Sequence, residues 1–112
     1  MKLKPMIYVA APLTKGDMTV NINIAMKQFD ELLSSDLITP ICPHWSVFQN
    51  IFIPRPYEDW MQYDFQIIHK CDAILRLSGE SPGGDREVAL AKKLGIPVFF
   101  NKEELLNWAK TK

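Results

Sequence analysis

The chain has little with which to staple itself together. It carries only two cysteines, Cys42 and Cys71, which stand in neither a CxxC nor any other zinc-ligand spacing. A disulfide framework and a structural zinc site are therefore excluded, and both thiols are expected to be reduced and in the core. Neither a metal nor an organic cofactor is expected. Excess charge of either sign is also missing: 13 basic residues balance 13 acidic ones, for a formal net charge of zero. No basic field exists to hold a nucleic-acid polymer or an anionic membrane. No apolar run approaches the length of a membrane span and no secretory leader pattern opens the chain, which makes a cytoplasmic protein the expectation. Internal repeats, low-complexity tracts and linkers are absent, so residues 1–112 are read as one domain, large enough to bury a core unaided.

What is present is an alternation of short apolar runs and amphipathic stretches. MIYVA (6–10), bounded by Pro5 and Pro12, reads as a buried strand. Gly16 and Asp17 mark a turn, and Thr19 is the expected N-cap of a helix over roughly 20–34, where Ile22, Ala25, Met26, Phe29, Leu32 and Leu33 recur at helical spacing. LITPIC (37–42) is a second strand despite Pro40. The aromatic-rich segment 43–56 is longer than an ordinary connection and is expected to be a lid or binding loop. A helix over about 57–70, a strand at 72–77, the loop SGESPGG, a helix ending near Gly95 and a strand at 96–100 follow. Asn101 with Glu104 then resembles a capping arrangement for a last helix reaching about Ala109. This pattern predicts an α/β fold: a single doubly wound, flavodoxin- or Rossmann-like domain, with a parallel sheet of four or five strands flanked by helices. Right-handed crossovers put the C-terminal ends of all strands on one edge, where such sheets bind ligands. The loops after Ala10, after Cys42 and at SGESPGG meet there.

Two carboxylates fall on faces that should be apolar. Tyr57, Trp60, Met61, Phe65 and Ile68 form one helical stripe, and Asp64 occupies the position that completes it. Glu87 lies three residues before Leu90 and four before Ala91, on the buried face or at its margin. Burying a bare carboxylate costs several kcal/mol unless it is paired or hydrogen-bonded. Glu87 could be a first-turn glutamate favoured by the helix dipole, and Asp64 a buried acid bonded to a loop. Paired carboxylates at a sheet edge are also the equipment for nucleophilic and acid/base chemistry at an anomeric carbon. In SPGGD, Ser81 offers a hydroxyl, and Gly83 and Gly84 permit close approach of backbone amides at a helix N-terminus, an arrangement suited to an anion. The turn is neither a Walker loop nor a Rossmann fingerprint.

Together these residues resemble the nucleoside 2'-deoxyribosyltransferase superfamily, above all its 2'-deoxynucleoside 5'-phosphate N-hydrolases and its small, often phage-borne members. The resemblance spans nearly the whole chain: YVAAP closing the first strand, Asp64 eight residues before Asp72 of the "CD" pair, Ser81-x-Gly83-x-x-x-Glu87, and ALAKKLGIPV. It implies that Glu87 is the nucleophile attacking C1' of the sugar, Asp64 the general acid/base and Tyr8 a residue orienting Glu87. By the same resemblance Ser81 and the amides near Gly83 and Gly84 hold the 5' end. A serine rather than an acid six residues before Glu87 implies a 5'-monophosphate substrate, with Ala11, Thr14 and Lys15 in the first loop beside it. Hydrolysis is favoured over transfer, and a nucleotide-binding module without turnover is the alternative. His44 and Trp45 could hydrogen-bond or stack on the base, or pack beneath their loop or at a subunit contact. Arg86 could contact phosphate, act on Glu87 or face solvent. Tyr57, Trp60 and Phe65 are expected in the core or at a subunit contact, the resemblance implying a homodimer or higher homo-oligomer.

Overall fold

A computed structural model describes residues 1–112. Ten elements follow one another. In chain order they are β1 (Met6–Ala10), α1 (Met18–Ser34), β2 (Thr39–Ile41), a 3-10 turn (Pro43–Trp45), α2 (Ser46–Phe52), α3 (Tyr57–Ile68), β3 (Ala73–Arg76), α4 (Pro82–Lys93), β4 (Val98–Phe99) and α5 (Lys102–Ala109). The sheet has four strands in the order β2-β1-β3-β4, all parallel. Alternation along the strands separates two cores. Ile7, Val9, Ala73 and Leu75 face Leu32 of α1 and Leu105 and Ala109 of α5. Tyr8, Ala10 and Ile74 face Ile68 of α3 and Ala91 of α4. This is the expected doubly wound sandwich of two helical layers around a parallel sheet. β2 and β3 lie on opposite sides of β1, so the strand order reverses beside the C-terminal end of β1, where such sheets open a crevice.

Several local expectations shift. α1 begins one turn-residue after Asp17, whose carboxylate accepts the Val20 amide at 3.1 Å; Asp17, not Thr19, is the N-cap. Pro40 is tolerated because β2 is an edge strand. Asn101 accepts the amides of Glu103 and Glu104 at 2.8 and 3.1 Å and so caps α5 alone. The largest correction concerns 43–56, of which only 53–56 is loop and the rest is the 3-10 turn and α2. Its helical period was invisible because the apolar residues of α2 do not point at the core: Phe48, Ile51 and Phe52 are 68–70% exposed, while Asn50 is half-buried. Tertiary bonds tie this helix down. Asn50 Oδ1 accepts the Arg55 amide at 2.8 Å and the Trp60 indole N–H at 2.9 Å, fastening the end of α2 to α3.

Candidate active site

Tyr8 is the third residue of β1 and fully buried on the α3/α4 face of the sheet. Its hydroxyl donates to Glu87 Oε2. α4 starts at Pro82, so Glu87 stands in the second turn, beyond the first-turn dipole that would explain an exposed acid. Glu87 is 5% exposed and Asp64, from α3, 8%. The helices α3 and α4 pack side by side on one sheet face and bring the two acids into the same cleft. Asp64 Oδ1 is buried without a hydrogen-bond partner, which a core acid evolved only for packing would not leave so.

Burial dominates the electrostatics. It pushes the Glu87 carboxyl well above the usual carboxylate range; the Tyr8 hydrogen bond pulls it back and the Asp64 charge pushes it further up. Burial raises Asp64 too, against hydrogen bonding from Tyr8 and Glu87. The Tyr8 phenol is raised by burial and then by the Glu87 and Asp64 charges, which keeps it a donor. Two interacting acids of this kind lose their protons in two steps that belong to the pair and not to either residue alone.

The cleft encloses about 590 Å³ and is walled by α2, α3, the loop after β1 and the start of α4, a size that suits a small-molecule ligand. Ala11, Thr14, Lys15 and His44 line it together with Ser81, Gly83 and Gly84. Tyr8 lies beneath its floor and reaches it only through Glu87. Ser81 is the N-cap of α4, its Oγ accepting the Gly84 amide at 2.9 Å. Lys15 stands 3.6 Å from Glu80 across the mouth. A larger, more open groove of about 1010 Å³ runs on the outer side of β2 and contains neither Asp64 nor Glu87.

Trp45 lines that outer groove and not the cleft, packed edge-on to Phe29 with ring centroids 5.0 Å apart. Of the two readings open for Trp45, packing and not stacking on a base fits this position. Successive residues of a 3-10 turn point about 120° apart, so the turn that aims His44 inward aims Trp45 away. His44 is 5% exposed and its Nε2 donates to the Pro12 carbonyl at 2.8 Å. Burial holds its pKa below the usual value, so the neutral ring presents Nδ1 as an acceptor. It pins the loop after β1 against the turn.

The two glycines also have a different reason from the one expected. A Cβ at Gly84 would stand 2.9 Å from Arg76 Nε and 3.0 Å from Ser81 Oγ; one at Gly83 would stand 2.9 Å from the Tyr57 hydroxyl. Their bare faces admit protein side chains. Arg76, missed from the sequence, ends β3 with its guanidinium buried, donating to the carbonyls of Leu77 and Gly79 and to Asp85. It organises the turn that leads to Ser81 and places a fixed positive charge that favours ionised Glu87. The one signal available was an arginine closing an otherwise apolar strand. Arg86 is exposed at the surface, where it forms a two-pronged pair with Glu58 at 2.8 and 2.9 Å, over the Phe65 ring, clasping α4 to α3. Trp60 and the exposed Tyr57 belong to the cleft wall and not the core. No group of three or more His, Cys, Asp or Glu side chains converges in a way that could hold a metal ion, and no helix is long and apolar enough to cross a membrane.

Comparison with known proteins adds two findings. The profile of a family described as "Domain of unknown function (DUF7768)" matches residues 5–101. Among solved structures, the chain is similar to a 2-deoxyribosyltransferase from the psychrotolerant bacterium Bacillus psychrosaccharolyticus, with a TM-score of 0.53 and 21% identity over 83% of this chain and 69% of that one. That likeness is one of fold. No curated protein gives a significant match.

Proposed function

The chain belongs to the family described as Domain of unknown function (DUF7768), and we propose that it is a deoxyribosyltransferase-like domain cleaving the N-glycosidic bond of a nucleoside 5'-monophosphate. The observation that carries this reading is the convergence of Glu87 and Asp64, from separate helices, in one cleft with the Tyr8 hydroxyl on Glu87.

In this mechanism ionised Glu87 attacks C1' of the sugar, and the C1'–N bond breaks as Asp64 gives its proton to the departing base. A glycosyl ester on Glu87 results. Asp64, now a carboxylate, takes a proton from water, whose oxygen attacks C1' and releases Glu87. The pair must therefore carry one proton at the start. Burial raises both acids and Glu87 further than Asp64, while the Tyr8 hydroxyl and the Arg76 charge pull Glu87 back down; the shared proton therefore rests on Glu87 and must pass to Asp64 as the substrate settles, before attack.

Ser81 in place of an acid, with Lys15 on the cleft wall, supports a phosphorylated 5' end: a cation can face the phosphate and no carboxylate stands at the Ser81 position to repel it. Hydrolysis is favoured over transfer. The exposed apolar residues of α2, Phe48, Ile51 and Phe52, lie beside the cleft and support assembly as a homo-oligomer. Two buried free thiols suit a reducing, cytoplasmic setting.

Chromatography of free base released from a panel of nucleoside 5'-monophosphates tests the reading. Wild type should release base and Glu87→Ala should not. Equal release by both would overturn the assignment of Glu87, and a second base added as acceptor separates transfer from hydrolysis.

A further inference from the structure

Asn50 has a constraint that the chemistry above does not use. It lines the cleft from α2. Its Oδ1 accepts two donors at once, the Arg55 backbone amide at 2.8 Å and the Trp60 Nε1–H at 2.9 Å. Both donors are N–H groups that cannot accept, so they fix which end of the amide is oxygen. Two lone pairs are then filled, and the group has only its Nδ2 donors left to offer.

The position of this donor follows from the helices. A nucleobase cleaved in this cleft must lie on the Asp64 side, because Asp64 protonates it, while the 5' end lies toward Ser81. Trp60 stands on α3 one turn before Asp64, on the same helical face. Asn50 is bonded to the tip of the Trp60 indole, so it lies in the cleft on the α2 side, away from α4 and Ser81. A base held against Asp64, with its sugar toward Ser81, turns its far edge to that side.

We infer that Asn50 reads the far edge of the base and selects for a carbonyl there: the substrate is a 6-oxopurine or 4-oxopyrimidine nucleotide, not its 6-amino or 4-amino counterpart. The inference rests on the nucleotide reading above and deepens it. Oxygen at that edge accepts from Nδ2. An amino group would set donor against donor, and Asn50 cannot answer with its oxygen because both lone pairs are taken. An unmade hydrogen bond of this kind is worth about tenfold in affinity, the equivalent of about 1.4 kcal/mol.

The test uses binding, so that turnover does not enter. In a Glu87→Gln background, titration calorimetry compares the 5'-monophosphates of deoxyinosine and thymidine with those of deoxyadenosine and deoxycytidine. The oxo pair should bind about tenfold tighter than the amino pair. Asn50→Asp keeps an oxygen for Arg55 and Trp60 but presents a second oxygen to the base, and should erase or invert the preference. Trp60→Phe removes one of the two donors that orient the amide and should blunt the preference while leaving Asn50 in place. Equal affinity for both classes, or a preference that survives Asn50→Asp, overturns the role of Asn50. Failure of all four nucleotides to bind overturns the nucleotide reading on which it rests.

Discussion

Replacing Glu87 by glutamine should make the folded domain more stable while removing its chemistry. The Glu87 carboxyl is raised from 4.5 to about 8, chiefly by burial. The folded state therefore holds this proton more tightly than the unfolded chain does. The sign follows: the group's stabilising contribution is complete below pH 4.5 and is lost as pH rises through about 8. At about 1.4 kcal/mol for each pH unit between the two values, ionising Glu87 inside the fold costs on the order of 4–5 kcal/mol by pH 8. Glutamine has nearly the same shape, and its oxygen still accepts from the Tyr8 hydroxyl, so it removes the cost without opening a cavity. Urea unfolding of both proteins from pH 4.5 to pH 8 measures this. The two should be nearly equal in acid, with the variant pulling ahead as pH rises. The gain by pH 8 should be on the order of 4–5 kcal/mol, or about 15–20 °C in Tm for a domain this size. A variant that is no more stable than wild type at pH 8, or whose advantage does not depend on pH, would refute the claim that Glu87 is held against its preferred charge state. Such strain is what a nucleophile imposes on its fold and what a structural acid would not.

Further outcomes follow from the same geometry. Asp64→Asn should lower base release by about 10²–10⁴-fold while nucleotide binding persists, since the amide keeps the shape but moves no proton; single-turnover release and calorimetry read the two separately. Tyr8→Phe removes a donor that favours ionised Glu87, so the acidic limb of the pH–rate profile should move to higher pH; an unmoved limb would show that the hydroxyl does not act on Glu87. Gly84→Ala forces a methyl to within 2.9 Å of Arg76 and 3.0 Å of Ser81, both buried, and should destabilise by about 1–3 kcal/mol. Gly83→Ala meets the hydroxyl of exposed Tyr57, which can swing away, and Met61 Sδ at 3.4 Å, an ordinary contact, and it gains helix propensity, so it should stay within about 1 kcal/mol of wild type. Equal denaturation midpoints for the two alanine variants would contradict the packing described for Arg76.

The sequence by itself determined the layers of the fold and the convergence of the acids. Strand alternation and helical period are written in neighbouring residues: Tyr8 against Ile7 and Val9, Asp64 within the stripe of Trp60, Met61 and Ile68, Glu87 one turn before Ala91. Each of these side chains must turn to one face because the backbone repeats at 2.0 or 3.6 residues. Parallel strands with right-handed crossovers then bring the faces to a common edge. Only the tertiary structure decided what each group meets there. The helix α2 was hidden because its apolar residues face outward and its ties run through Asn50 to Arg55 and Trp60. His44 turned inward and Trp45 outward from one 3-10 turn. Gly83 and Gly84 made room for Tyr57 and Arg76, and Arg86 found Glu58 on another helix, 28 positions away. None of these pairings has a period. They depend on which distant surface arrives opposite a residue, and that is fixed by packing after the local pattern has placed the residue on its face.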